Sequence, residues 1–242
     1  MQVRYQADDN SEIFLFTNSN LKDGFETMLN FTPAITEGRK GWVWDPETGA
    51  RFRLNSPVKN EYLLTLGAAE SRVLVFDTDR RGKTWNPVST GGRTAEMLEG
   101  PWHLEFIHSR GDKADPLLLD TLRDLKDLKD YSSFSGTIVY KTKLILENRI
   151  PTLLDTGNVE GVTLLKINGV DCGVKWYGER IYEVGKVLGD GINILEIRVI
   201  TLMGNYMKSL TGNQNAQYWT NLGRKNQPML QTGLRGPVMV YY

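Results

Sequence analysis

The feature that most constrains this chain is the alternation of apolar and polar residues along three segments, 139–146, 162–167 and 194–199. A period of two residues places successive side chains on opposite faces, so each segment is typical of a β-strand with one face in a core. Asn168-Gly169 follows the second segment and favours a tight turn, because both residues tolerate positive φ. The pattern predicts two facing antiparallel sheets in this half of the chain.

The first eighty residues contain further short runs of strand length, at 13–16, 25–31, 42–54, 62–66 and 72–76. The third run is interrupted by Asp45-Pro46-Glu47-Thr48-Gly49, whose early proline and late glycine are typical of a hairpin turn. A polar stretch rich in Gly and Pro, Asp77 to Gly92, then predicts a linker. We therefore predict a small accessory β-sandwich over residues 1–85 and a second β-sandwich over residues 95–242.

One segment departs from the β pattern. Leu118, Leu122, Leu125 and Leu128 recur near helical spacing, and charged residues lie between them. This spacing places the four leucines on one face of a helix. The sequence therefore predicts an amphipathic helix that covers one end of the second sandwich.

Composition excludes several classes of function. Lys+Arg and Asp+Glu both number 29, so no excess of positive charge favours nucleic acid or an anionic membrane as a partner. No window approaches the ~20 apolar residues of a membrane-spanning helix, and the N-terminus lacks the apolar core of a signal peptide. Cys172 is the single cysteine, so no intrachain disulfide can form, and we interpret it as a small, partly buried residue.

The sequence offers little for catalysis. It contains no HExxH, no cysteine pair, no Walker loop and no nucleophile elbow. Glycoside hydrolysis needs two carboxyl groups at ~5–5.5 Å or ~6.5–9.5 Å, and Glu179 and Glu183 are the best candidate pair. We therefore predict no catalytic residue and no metal ligand, although the sequence alone leaves enzymatic activity open.

The sequence contains more residues suited to sugar binding than to catalysis. Proteins hold sugars by covering the apolar face of the ring with an aromatic side chain while amide and charged groups bond the hydroxyls. Residues of these types outside the core pattern are the predicted carbohydrate-binding residues Trp176, Tyr177, Asn205, Tyr206 and Trp219. The last of these lies in a polar, aromatic segment, 214–221, that we predict to be a loop. Two alternatives involve core packing: Trp176 equally suits packing over a sheet edge, and Trp42 and Trp44 suit one strand face in a core or domain contact.

The second half of the chain resembles the sugar-binding jelly roll of family-2-type glycoside hydrolases. Phe134–Tyr140 is similar to the opening strand of that domain, and Leu154–Val159 to its leucine-aspartate-x-glycine-x-valine element. Leu165–Gly169 followed by Trp176 is similar to its asparagine-glycine turn and tryptophan, and Gly191–Ile197 to a later strand. The resemblance implies a galactose-binding-like fold without a catalytic acid or nucleophile.

Nearly the whole chain resembles the C-terminal region of family-106 α-L-rhamnosidases. The resemblance is carried by the turn after Trp44, by Glu70–Phe76, by Gly100-Pro101-Trp102 and by Gly233–Val238, in that order around the jelly roll. It implies an all-β chain, a small β-sandwich followed by a galactose-binding-like jelly-roll β-sandwich, that supports a catalytic barrel located before Met1.

The same resemblance implies a setting. The partners would be that barrel and oligosaccharides of rhamnose-containing plant polysaccharides, and the location would be the periplasm or the cell surface, where polysaccharide degradation occurs. No cofactor is implied, and a structural calcium ion is compatible with such jelly rolls. The sequence leaves two alternatives open, a stand-alone carbohydrate-binding module and a purely structural domain pair without a ligand.

Overall fold

The computed structural model describes residues 2–8, 10–46, 49–54, 58, 60–79, 81–84, 88–112, 114–222 and 228–242. These residues are nearly all in strands or in the turns between them, which confirms the predicted all-β fold class. The chain divides into two compact units, Met1–Ser89 with Tyr177–Glu179, and Thr90–Trp176 with Arg180–Tyr242. Parts of the predicted hairpin turn and linker, namely residues 47, 48, 80 and 85–87, lie outside the described residues.

The first unit contains eight strands and one short helix among its described residues. The strands are β1 (Gln2–Asp8), β2 (Ser11–Thr17), β3 (Phe25–Asn30), β4 (Lys40–Trp44), β5 (Arg51–Arg53), β6 (Glu61–Leu66), β7 (Ser71–Asp77) and β8 (Lys83–Thr84), and the helix is α1 (Pro33–Thr36). Six strands pair in the order β1-β2-β7-β4-β5-β8, while β3 and β6 form a separate two-stranded sheet. The unit is therefore a sandwich in which a wide sheet faces a narrow one.

The core of the first unit lies between these two sheets. Alternate residues of β2, among them Phe14 and Phe16, and alternate residues of β6, among them Tyr62 and Leu64, are buried in one cluster. The two-stranded sheet is too narrow to cover the whole inner face of the six-stranded sheet. The inner face of the edge strand β1 therefore remains uncovered and carries polar residues.

The two tryptophans of β4 have different environments. Trp42 is fully buried, donates a hydrogen bond from Nε1 to Asp77 Oδ1 at 2.8 Å, and lies 4.6 Å from the Arg51 guanidinium. Trp44 occupies the same face but is 40% exposed, because it lies at the last position of the strand. Trp42 is therefore buried on the face of β4 opposite Val43, which belongs to the core cluster between the sheets, so neither tryptophan lies in that core.

The second unit is larger. Its strands are β9 (Ala95–Met97), β10 (Trp102–His108), β11 (Leu117–Leu119), β12 (Gly136–Leu146), β13 (Leu153–Asp155), β14 (Asn158–Glu160), β15 (Val162–Ile167), β16 (Val170–Lys175), β17 (Ile181–Glu183), β18 (Gly191–Ile200), β19 (Gly233–Gly236) and β20 (Met239–Tyr241). They form a six-stranded sheet, β11-β10-β12-β18-β15-β16, a four-stranded sheet, β17-β13-β20-β9, and the pair β14-β19. Every described strand pair of this unit is antiparallel.

Among its described residues, this unit has four helical elements: a 3₁₀ turn at Leu125–Asp127, the helices α2 (Gly204–Ser209) and α3 (Gln214–Gln217), and a π-helical turn at Tyr218–Leu222. The last two elements replace the loop predicted for 214–221. That prediction was wrong because Asn213 caps α3, its side chain accepting a hydrogen bond from Ala216 N. The buried methyl group of Ala216 then fixes the inner face of the helix.

The three alternating segments behave as predicted. In β12, Tyr140, Thr142, Leu144 and Leu146 are buried, whereas Lys143 and Ile145 are exposed. The same alternation buries every second residue of β15 and β18. These residues share one core cluster with the four-stranded sheet, so the second unit is also a β-sandwich.

The amphipathic helix predicted for 118–128 was wrong. Residues 117–119 form the edge strand β11, in which Leu118 is 57% exposed while Leu119 is buried. Asp124 instead caps the 3₁₀ turn Leu125–Asp127, because its carboxylate accepts hydrogen bonds from Lys126 N and from Thr232 N at 3.0 Å each. These bonds bury Leu125 in the core, so leucine spacing alone was a misleading signal.

The backbone of the Leu154–Val159 motif requires a glycine at position 157. Gly157 has φ +67°, and a Cβ there would lie 2.2 Å from Pro237 O, so a larger residue is excluded on both grounds. Asp155 accepts a hydrogen bond from Gly157 N at 2.8 Å and thereby holds the turn. Burial raises the pKa of the Asp155 carboxyl.

Candidate functional site

The predicted carbohydrate-binding residues of the second unit lie in segments that follow β16 and β18, two strands that end at the same end of the six-stranded sheet. The ladder of this sheet places Ile107 opposite Thr137, Thr137 opposite Ile200, and Ile200 opposite Val162. The chain therefore leaves β10, β18 and β16 at the same end of the sheet. Since neighbouring strands lie about 4.8 Å apart, the ends of β10 and β16 are each about 10 Å from the end of β18. We call this end of the sheet, with the segments 108–112 and 201–222, the candidate surface.

Tyr206 lies on α2 and is half-buried. Its hydroxyl accepts a hydrogen bond from Arg110 Nη1 at 3.3 Å, and its ring meets the imidazole of His108 edge-on, with 5.1 Å between centroids. The bond to the Tyr206 hydroxyl raises the pKa of Arg110, so the guanidinium stays charged. Tyr206 is thus a half-exposed ring joined to a permanent cation, an arrangement that suits polyhydroxylated or anionic ligands.

The loop after β10 supplies three polar groups that the sequence analysis missed. His108 Nδ1 lies 3.1 Å from Arg110 N and 3.3 Å from Asp112 Oδ2, and the Asp112 carboxylate is largely exposed. His108 packs on Phe134, which connects the loop to the core. The available signal was the run His-Ser-Arg-Gly-Asp directly after a strand with alternating burial.

Asn205 is buried within the protein. It is 2% exposed, and its amide donates to Leu230 O at 2.7 Å and to Thr232 Oγ1 at 3.0 Å. Its oxygen accepts from Leu230 N at 2.7 Å. All three hydrogen bonds join α2 to the segment that leads into β19, so the observed role of Asn205 is to hold the candidate surface together.

Trp219 forms the most exposed aromatic feature of the candidate surface together with Tyr218. The two side chains are 55% and 57% exposed, and their rings meet edge-on with 5.5 Å between centroids. The turn that carries them is anchored by Thr220, which is buried and donates to Ala216 O at 2.8 Å. A rigid support with two exposed rings is what stacking on a sugar requires.

Trp176 and Tyr177 follow β16. Trp176 is 54% exposed and belongs to the second unit, whereas Tyr177 is partly buried and belongs to the first. Trp176 therefore lies just beyond β16, at the sheet end where β18 leads into the segment that carries Tyr206 and Trp219. Packing of Trp176 over the sheet edge and stacking on a ligand both fit this position.

The two carboxylates considered for hydrolysis belong to different compact units of the chain. Glu179 belongs to the first unit and Glu183 to the second, at the end of β17, and both are exposed. Burial raises the pKa of the Cys172 thiol, which disfavours a nucleophilic thiolate. Over the described ranges, no group of three or more His, Cys, Asp or Glu side chains could hold a metal ion. Within the same ranges, no helix is long and apolar enough to cross a membrane.

Comparison with known proteins defines the class through the fold. No protein-family model matches the chain. A search of curated proteins also finds no match. Among solved structures, a rhamnosidase contains a region with the fold of this chain, so the class is defined only as a glycoside hydrolase-like β-domain fold.

The rhamnosidase from Novosphingobium sp. PP1Y aligns with 100% of this chain at a TM-score of 0.69 and 23% identity. The β-glucuronidases from Bifidobacterium dentium and Ruminococcus gnavus align with 64% and 65% of this chain, at TM-scores of 0.44 and 0.43 and identities of 18% and 17%. The chain spans 25% of the rhamnosidase and 30% of each glucuronidase. At these identities the likeness is one of fold.

Proposed function

We propose that this chain is a non-catalytic β-sandwich region of a glycoside hydrolase of the family-106 α-L-rhamnosidase type. In this role it supports the catalytic barrel and contacts carbohydrate through the candidate surface, and its second unit is a galactose-binding-like jelly roll. The fold likeness to the rhamnosidase over the entire chain supports the scaffold role.

The exposed pair Tyr218 and Trp219 is the observation that carries the carbohydrate contact. Burying these rings against the apolar face of a sugar removes hydrocarbon surface from water without requiring the protein to order itself first. Arg110, Asp112 and Tyr206 supply the donors and acceptors that such a sugar needs. A purely structural pair of domains would have no use for these exposed rings, so we rank it below the binding function.

Isothermal titration calorimetry with rhamnose, galactose and rhamnogalacturonan oligosaccharides tests the proposal. We expect saturable binding of one sugar class, weakened about 30-fold by Trp219→Ala if this ring is a central contact worth about 2 kcal/mol. Tyr206→Phe keeps the ring but removes the bond to Arg110, and should weaken binding by about 2- to 10-fold. Tyr5→Ala, which removes another exposed aromatic ring, is the matched control.

The outcomes separate the alternatives. Binding by the isolated chain that depends on Trp219 also fits a stand-alone carbohydrate-binding module, and co-purification with a catalytic barrel then distinguishes the two. The absence of heat for every sugar up to millimolar concentration would refute the carbohydrate contact and leave the structural role. Equal affinity of the Trp219→Ala variant and the parent would refute the assignment of the surface.

A further inference from the structure

The first unit contains a cleft of about 290 Å³ that the proposed function does not use. The described residues that line it come from β1, β2, the end of β3 and α1, and comprise Gln2, Arg4, Phe14, Phe16, Leu29, Asn30, Phe31, Thr32 and Ile35. The cleft results from the unequal width of the two sheets: the two-stranded sheet ends before it reaches the edge strand β1. Its volume is close to the lower limit of about 300 Å³ for small-molecule sites.

The register of β1 and β2 gives the cleft one apolar side and one polar side. Gln2 lies opposite Phe16, and Arg4 lies opposite Phe14, so two polar side chains border two aromatic rings on one sheet face. Phe14 and Phe16 are nearly buried and belong to the core, so the apolar side is rigid. On the far side, Asn30 and Thr32 are exposed.

The charge of Arg4 is compensated within the protein. Its Nε and Nη2 atoms each donate to the Glu12 carboxylate at 2.9 Å, and the guanidinium lies 5.9 Å from the Phe14 ring centroid. Glu12 is only 3% exposed while the Arg4 side chain is 53% exposed, so this bidentate pair joins a buried carboxylate to a guanidinium at the surface. An added carboxylate or phosphate would have to compete with Glu12 for Arg4. The cleft is therefore close to electroneutral and disfavours anions.

We propose that this cleft binds one neutral sugar residue, with the apolar face of the sugar ring over Leu29 and the exposed edges of Phe14 and Phe16, and with Gln2, Asn30 and Thr32 on its hydroxyls. Amides and hydroxyls both donate and accept, which matches the mixed hydrogen bonding of sugar hydroxyls. The Arg4 Nη1 atom, which lies outside the pair with Glu12, is one further donor. The site belongs to the first unit and is independent of the candidate surface.

Saturation-transfer NMR of the full chain with the methyl glycosides of glucose, galactose and rhamnose, and with galacturonic acid, tests the inference. We expect saturable transfer to at least one neutral glycoside and a dissociation constant at least 5-fold weaker for galacturonic acid. Asn30→Ala should weaken neutral binding about 2- to 10-fold, as expected for loss of one or more hydrogen bonds. Thr32→Trp should abolish it by filling the cleft. Thr27→Ala, on the exposed part of β3 outside the cleft, is the matched control.

The background must be the Trp219→Ala variant, so that the candidate surface does not contribute to the signal. Retention of neutral binding by a Thr32→Trp protein that melts like its parent would overturn the inference. Tighter binding of galacturonic acid would overturn the electroneutral argument, and no transfer from any neutral glycoside at 50 mM would overturn the site. Binding that the parent shows and the Trp219→Ala background lacks would support the candidate surface and overturn the cleft site, whereas binding that survives in that background and is lost on Thr32→Trp would support the cleft, so failure of one proposal is distinguishable from failure of the other.

Discussion

Replacing Asn205 by alanine should lower the stability of the second unit rather than remove a ligand contact. The parent side chain makes three hydrogen bonds within the protein, two to Leu230 and one to Thr232. At roughly 0.5–1.5 kcal/mol net for each bond, their loss corresponds to about 1.5–4.5 kcal/mol. Leu230 is 38% exposed, so water can replace part of what is lost, and we expect a decrease of about 2 kcal/mol in the free energy of unfolding.

Differential scanning calorimetry provides the assay. For a chain of this size, about 2 kcal/mol corresponds to a decrease in Tm of about 4–8 °C. Asn215→Ala is the matched control, because Asn215 is exposed on α3 and alanine favours a helix. The control should have the Tm of the parent or a slightly higher one.

The reasoning has a clear contrary result. If Asn205→Ala melted with the parent but lost carbohydrate binding, the side chain would act on the ligand, and the structural role derived from its burial would be refuted. A lower Tm with sugar affinity kept at temperatures well below the transition would support that role. Calorimetric titration at 15 °C separates the two outcomes.

Three further predictions concern the core, the titration of a buried carboxyl and catalysis. In urea unfolding, Leu125→Ala should lower the free energy of unfolding by about 2–5 kcal/mol, because Leu125 is fully buried, whereas Leu118→Ala should change it by no more than about 0.5 kcal/mol. Equal decreases for the two variants would instead favour the amphipathic helix predicted from the sequence. Because burial raises the pKa of Asp155, the folded state binds a proton more readily than the unfolded one, and stability falls as pH rises above the unfolded value of about 3.9. Asp155→Asn, which keeps an acceptor for Gly157 N, should therefore be at least as stable as the parent at pH 7, and this advantage should shrink as the pH approaches roughly 3.5 in thermal melts. The purified chain should release no 4-nitrophenol from aryl glycosides, and a turnover that Glu183→Gln or Glu179→Gln abolished would contradict the assignment of a non-catalytic chain.

The strands were predictable wherever burial alternates along the sequence. In β12, β15 and β18 the period of two fixed both the secondary structure and the buried face, because each strand has one side in the core. The leucines at 118–128 failed because leucine spacing does not report hydrogen bonds from distant residues. Thr232, more than a hundred residues away, supplies the backbone group that Asp124 binds.

Only part of the candidate surface could be predicted from the sequence. Aromatic residues outside the core pattern pointed to Tyr206 and Trp219, and both lie on the surface segment 201–222. Asn205 and Tyr206 are consecutive in the sequence, but because both lie on α2 their side chains point in different directions, that of Asn205 into the protein and that of Tyr206 toward the surface. No local sequence pattern at this position indicated the helix. Arg110 was missed because its link to Tyr206 spans 96 residues.

The glycine of the Leu154–Val159 turn has a consequence for finding relatives of this chain. Identity to the aligned rhamnosidase is only 23%, so most positions have changed without altering the fold. Gly157 is held by its positive φ and by its approach to Pro237 O, and any side chain at that position would displace backbone rather than another side chain. Gly161, with φ +107° and a Cβ position 2.0 Å from Ile200 O, is under the same restriction. A search profile that weights these two glycines and their spacing of four residues should therefore recover divergent homologues that overall similarity misses.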